Sequence, residues 1–133
     1  MRFLPAAALL VLAACAPQDD MPEPRDGRAL YTATCAACHG VDATGGGPLA
    51  ATLELSPPDL TRIAARNGGA FPRAQVLSQI DGYTRRDQAD GMPEFGALLQ
   101  GDLIPYDSGD GRMTPTPRRL IALLEYLESV QAP

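Results

Sequence analysis

Cys35, Cys38 and His39 stand together in the run Cys35-Ala36-Ala37-Cys38-His39. Two thiols three residues apart lie on one face of a helix end, and the histidine directly after the second sets an imidazole beside them. This residue set suits the covalent attachment of a haem: each thiol adds to one vinyl group of the porphyrin, and the adjacent His39 comes beneath the iron as proximal ligand. A thioredoxin-like redox pair needs a βαβ context, which this sequence lacks. A structural zinc site needs four ligands, and two cysteines with one histidine fall short.

One such motif implies one haem c. His39 is the only histidine in the chain, so a second imidazole cannot complete the coordination of the iron. Of the four methionines, Met1 belongs to the leader and Met21 to a linker, which leaves Met92 and Met113. Met92 is followed by Pro93, which stiffens the loop at a fixed φ, and by Phe95, able to cover a haem edge. Met92 is therefore the expected sixth ligand. Met113, just after Gly109-Asp110-Gly111-Arg112, and an open sixth position are the alternatives, and either methionine can instead be a gap filler.

The elements that must position these groups read as helices. Asp26 suits the N-cap of a first helix over about 26–37, with Gly27, Leu30 and Tyr31 on one face. Four glycines between Gly40 and Pro48 make a loop. Ser56-Pro57-Pro58-Asp59 opens a short helix through Leu60, Ile63 and Ala64 that stops at Asn67-Gly68-Gly69. Another begins near Pro72, buries Val76, Leu77 and Ile80, and ends at Gly82. Tyr83 to Gly91 and Asp107 to Thr116 read as loops. The last helix is the clearest: Thr116 as N-cap, Pro117 in the first turn, then Leu120, Leu123, Leu124 and Leu127, with Ile121, Tyr126 and Val130 widening the stripe. No strand is expected, and the fold class is all-α, short helices joined by long loops.

With 133 residues, 45% of them hydrophobic and 20% charged, the chain has room for one globular domain. All 11 basic residues are arginine against 16 acids, a net charge of -5, so the electrostatic footprint of a nucleic-acid binder is missing. Aromatics make up 5% and there is no tryptophan, a thin core that a covalent macrocycle would help to fill. Arg2 and the apolar run from Phe3 to Ala14 read as a signal peptide over 1–14, because twelve residues fall short of the ~20 needed to span a bilayer. Leu12-Ala13-Ala14-Cys15 resembles the lipobox of bacterial lipoproteins, which implies acylation of Cys15; an ordinary Ala-x-Ala signal with a stray cysteine is the alternative. Residues 15–25, with three prolines and three acids between Ala16 and Arg25, read as a linker, and 26–133 as the folded domain.

From Asp26 to Val130 the chain resembles the class I monohaem cytochromes c. The resemblance rests on Gly27 and Tyr31, on Cys35, Cys38 and His39, on Gly47-Pro48, on Met92-Pro93, and on the face formed by Leu123, Tyr126 and Leu127. It implies a small cytochrome c fold packed around the haem, with Gly27 letting the last helix come close and Tyr31 and Tyr126 near the crossing. It also implies that the carbonyl of Pro48 faces the free nitrogen of His39 and fixes its tautomer. Thr61, Arg62 and Tyr83 stand at family-like positions for haem propionates. The lysine ring by which some such proteins dock acidic partners is absent.

These readings converge on electron transfer between redox protein partners on the outer side of the cytoplasmic membrane, periplasmic and lipid-anchored through Cys15, with no enzymatic chemistry of its own. A fixed haem subunit of a larger respiratory or dehydrogenase complex is one alternative. A gas-binding haem protein with an open sixth site is the other.

Overall fold

The computed structural model describes residues 21–83 and 91–133, so the leader, Cys15 and most of the linker lie outside the described residues. In chain order the elements are α1 (Pro24–Thr34), α2 (Ala36–His39), a 3-10 turn at Ala50–Thr52, a second at Leu60–Arg62 running into α3 (Ile63–Arg66), α4 (Arg73–Asp81), β1 (Leu103–Asp107), β2 (Met113–Pro117) and α5 (Arg118–Ser129).

The first helix begins two residues earlier than the sequence suggests. Pro24 occupies the first turn, where a missing N–H costs nothing, and Asp26 acts from inside the helix: its Oδ2 accepts the N–H of Glu23 at 2.9 Å. The helix is also interrupted at Cys35, whose φ of −115° breaks the path between α1 and α2.

α5 buries Leu120, Ile121, Leu123, Leu124 and Leu127, the stripe expected from its spacing, and α1 crosses it in the main helix contact of the fold. At the crossing a Cβ on Gly27 would run into the backbone carbonyl of Ala122. Tyr31 lies beside Tyr126 with ring centroids 5.1 Å apart. α4 is tied to the same helix by a forked pair, Arg73 Nε and Nη2 donating to Glu128 Oε2 and Oε1 at 2.7 and 3.0 Å. Both side chains are partly exposed, so the pair contributes about 1 kcal/mol or less. The C-terminal turn is clamped through Gln131, whose Nε2 donates to the carbonyls of Leu60 and Leu127 and whose Oε1 accepts from Ala64 N–H.

The expectation of an entirely strandless chain is corrected here. β1 and β2 form an antiparallel hairpin in which Leu103 faces Pro117, Pro105 faces Pro115 and Asp107 faces Met113. Of its inner face Ile104, Tyr106 and Thr116 are buried while Thr114, opposite Tyr106, is exposed, and Tyr106 Oη donates to Glu125 Oε1 of α5 at 3.0 Å. Thr116 is thus a strand residue, not the cap of α5; Pro117 is the cap position. The rest of the architecture is helical, as the resemblance to the cytochromes c implies.

Candidate functional site

The two motif thiols lie where α1 gives way to α2. Cys35 ends α1 with its N–H donating to Tyr31 O at 2.8 Å, and its own carbonyl accepts from the N–H groups of Cys38 and His39 at 3.1 and 2.9 Å. One short turn therefore holds all three motif residues. Both thiols are free and half-buried. Burial pushes the Cys35 thiol up, against a smaller opposing effect of the Thr34 hydroxyl. A redox-active cysteine pair needs the reverse, a thiol lowered by a positive surrounding. Among the described residues no set of three or more histidine, cysteine or carboxylate side chains converges as a metal cage.

His39 is buried, and burial holds its imidazole below the usual histidine range, a nearby carbonyl opposing part of the effect. That carbonyl belongs to Pro58, at 3.2 Å from Nδ1. A carbonyl only accepts, so Nδ1 carries the proton and Nε2 keeps its lone pair, with no partner among the described residues. The tautomer is the one an iron ligand requires.

The expected partner was Pro48, and the structure gives the contact to Pro58 instead. Pro48 sits in a loop that lies against α2: Gly47 N–H donates to Cys38 O at 3.1 Å, Leu49 N–H to Ala37 O at 2.9 Å, and a Cβ on Gly47 would stand 2.5 Å from Ala37 O. The chain then turns through Ala50–Thr52 and returns alongside Ala43 and Gly45, where Leu60 N–H donates to Ala43 O at 2.8 Å. That return brings Pro58 to the ring. Asp59 holds the segment in shape, its Oδ1 accepting from Thr61 N and Oγ1 at 2.8 and 2.6 Å. The sequence places Pro58 and Asp59 only at the start of a helix, and marks neither them nor the buried Ala43 as parts of the His39 site. Asp59 could be seen as a cap, but nothing local told of the contact to a ring nineteen residues away.

The loop of Met92 is fastened to the end of α4. Phe95 N–H donates to Ile80 O at 2.9 Å and Gly96 N–H to Asp81 O at 3.3 Å, while Gly82 turns with φ +92° against the side chain of Glu94. Met92 lines a cavity of about 380 Å³ with Gly91, Pro93 and Glu94, and its side chain packs against the core. Met113, by contrast, is on β2 and 66% exposed. Thr61 has its hydroxyl committed to Asp59, Arg62 is exposed and Tyr83 is 87% exposed, so the structure does not gather them into one subsite. Cys15 lies outside the described residues.

The residues present fit a haem. Two unpaired thiols and an imidazole with a free Nε2 supply the donor chemistry. Leu60, Ile63, Phe71, Leu77, Met92 and Phe95 pack against the core yet stay only partly covered by protein, apolar surface of the kind a macrocycle would cover.

Fold and site together define a small, mainly helical protein whose C-x-x-C-H turn offers donors that fit a haem. Residues 24–131 match the model of the cytochrome c family, and the chain belongs to that family. No curated protein and no solved structure matches it. Membership brings covalently bound haem c and haem-based electron transfer, in a family of electron carriers.

Proposed function

We propose that this chain carries electrons with a single haem c, attached through Cys35 and Cys38 and held at the iron by His39 and Met92. The observation that carries the reading is the hydrogen bond from His39 Nδ1 to the Pro58 carbonyl, which orients the ring and leaves Nε2 as the donor atom. The haem, when bound, supplies the one-electron couple. The chain's own residues bury it, hold the imidazole in one tautomer and present a thioether from a loop fixed at both Ile80 and Asp81. Two protein ligands leave an exogenous molecule no position on the iron, which favours carriage over gas binding. Acylated Cys15 would tether the domain on the periplasmic side, where redox proteins donate and accept its electrons.

A place as a fixed subunit of a larger complex is the second reading. It is favoured by Val41, Leu49 and Leu55, apolar and respectively 79%, 48% and 56% exposed on the loops that follow α2. Purification in mild detergent separates the two, a mobile carrier running alone and a subunit with stoichiometric partners.

The test of ligation uses Met92→Ala and Met113→Ala. Reduced wild type is expected to be low-spin and unreactive to CO. Met92→Ala should bind CO, lose the Met-to-iron charge-transfer band of the oxidised form and fall in potential, because a thioether favours the ferrous state. Met113→Ala should change none of these. Ready CO binding by the wild type would overturn carriage with Met ligation.

A further inference from the structure

The hairpin presents two unlike faces. Ile104, Tyr106 and Thr116 turn inward and are buried, with Thr114 at the exposed end of the same face, while the other face consists of Leu103, Pro105, Met113, Pro115 and Pro117 with one charged residue, Asp107. Leu103 and Met113 are 61% and 66% exposed. The register sets Leu103 beside Pro117, Pro105 beside Pro115 and Asp107 beside Met113, so the apolar groups form one continuous strip. Asp107 is at the turn end, its Oδ1 accepting the N–H groups of Gly109 and Gly111 at 2.8 and 3.0 Å.

The strip is poorly suited to an added strand. Paired prolines at 105 and 115 mark a pair without mutual hydrogen bonds, so backbone groups at these alternate positions point outward along the two edges. Of the six residues that would offer an outward N–H, Pro105, Pro115 and Pro117 have none. What remains is a mainly apolar side-chain face.

The chain reaches the domain beside this hairpin. Met21, Pro22 and Glu23 share a cleft of about 450 Å³ with Arg118, Arg119 and Ala122 of α5. Arg118 directly follows Pro117, and its N–H donates to Asp102 O, next to Leu103, at 2.8 Å. The tether and the base of the hairpin therefore flank the same first turn of α5. Six residue steps from Cys15 to Met21 reach at most about 22 Å, whereas a folded domain of this length is roughly 34 Å across. So short a leash keeps the side where the chain joins α1 near the anchor.

We propose that the outward face of the hairpin, centred on Leu103, Pro105, Met113 and Pro115, rests on the lipid surface to which Cys15 tethers the domain. The inference depends on the lipid-anchor reading. The hairpin orients the domain and does not hold it there alone, since the strip is small. Its contact is apolar: the neighbouring charges are of both signs, Asp102, Asp107 and Asp110 against Arg112 and Arg119, and a chain of net charge -5 is not drawn to anionic lipid.

The experiment compares full-length, haem-loaded wild type bound to vesicles of phosphatidylethanolamine and phosphatidylglycerol with the lipid-free Cys15→Ser variant. Both are exposed to radiolytic hydroxyl radicals, and labelled side chains are read by peptide mass spectrometry. Labelling of Leu103 and Met113 is expected to fall several-fold on the vesicles and to stay low at high salt, while that of Leu53 and Leu55, 39% and 56% exposed just after the 3-10 turn at Ala50–Thr52, stays unchanged. Wild type that does not sediment with vesicles removes the anchor and the proposal with it. Wild type that sediments with Met113 labelled as in the soluble form leaves the anchor standing and overturns the orientation. Protection of Met113 that grows with the concentration of Cys15→Ser protein in the absence of lipid would overturn it too, assigning the strip to a second copy of the chain.

Discussion

Gly27 of α1 and Ala122 of α5 meet backbone to backbone, with no room for a Cβ between Gly27 and the Ala122 carbonyl. This closeness sets the spacing of the two helices, and with it the place of Tyr31 one turn further along α1, beside Tyr126. Tyr31 in turn reaches past the motif to Gly40, at the end of α2. The helix crossing and the turn that carries Cys35, Cys38 and His39 are thus fixed by one chain of contacts.

Replacing Gly27 with alanine tests the crossing. In a free helix the change would be favourable by about 1 kcal/mol. Here the obstacle is backbone, which cannot rotate away, and overpacking of this kind costs about 1–3 kcal/mol or more. A net loss of about 2 kcal/mol is expected, lowering the melting temperature of the holoprotein by roughly 10 °C. Gly27→Ala as stable as wild type would show that the helices separate at a cost no larger than the propensity gain of about 1 kcal/mol.

Tyr31→Phe isolates the link from crossing to motif. The hydroxyl donates to the Gly40 carbonyl at 2.7 Å, and both residues are buried. Burial and the neighbouring Cys35 push the phenol up, so it remains a donor through the neutral range. Loss of the bond leaves the buried Gly40 carbonyl with the Ala43 N–H alone, at 3.2 Å, at a cost of about 1 kcal/mol. Chemical denaturation should register that loss with an unchanged m-value. Equal midpoints for the two proteins would mean that the Ala43 N–H or a water satisfies the Gly40 carbonyl without the hydroxyl.

What the sequence disclosed follows the range of the forces involved. Cys35, Cys38 and His39 occupy one turn, so their juxtaposition is set by helix geometry alone. The stripe of α5 and the stops at Asn67 and Gly82 are equally local. The hairpin was hidden because its outward face is apolar like its inner one, so Leu103 to Tyr106 shows no alternation, and because three prolines in ten strand residues argue against a sheet. Pro58 was hidden for another reason. Its carbonyl reaches His39 only after the chain has turned through Ala50–Thr52, and a tertiary path of that kind leaves no mark in local spacing.

Acid provides the last prediction, through the segment that holds His39. Asp59 is kept below the usual carboxylate range by the Thr61 hydroxyl first, with Thr61 N–H, Arg62 and Arg66 adding to it. Asp42 is lowered by the N–H and hydroxyl of Thr44, and Asp107 by the N–H groups of Gly109 and Gly111. In each case the folded protein releases the proton more readily than the unfolded chain. The stabilisation is therefore complete above the unfolded value of about 3.9 and is lost as pH falls from there through the lower folded value. Asp59→Asn keeps an acceptor but not the charge, so its stability should fall short of wild type by most near neutrality and converge with it in acid. Denaturation across the acid range checks this, together with the carboxyl titration of Asp59 followed by NMR. A constant gap between the two proteins at every pH would sink the assignment. Because Asp59 follows Pro58 directly, the same substitution should also loosen the carbonyl on His39, and the Nδ1 proton should then exchange with water faster than in the wild type.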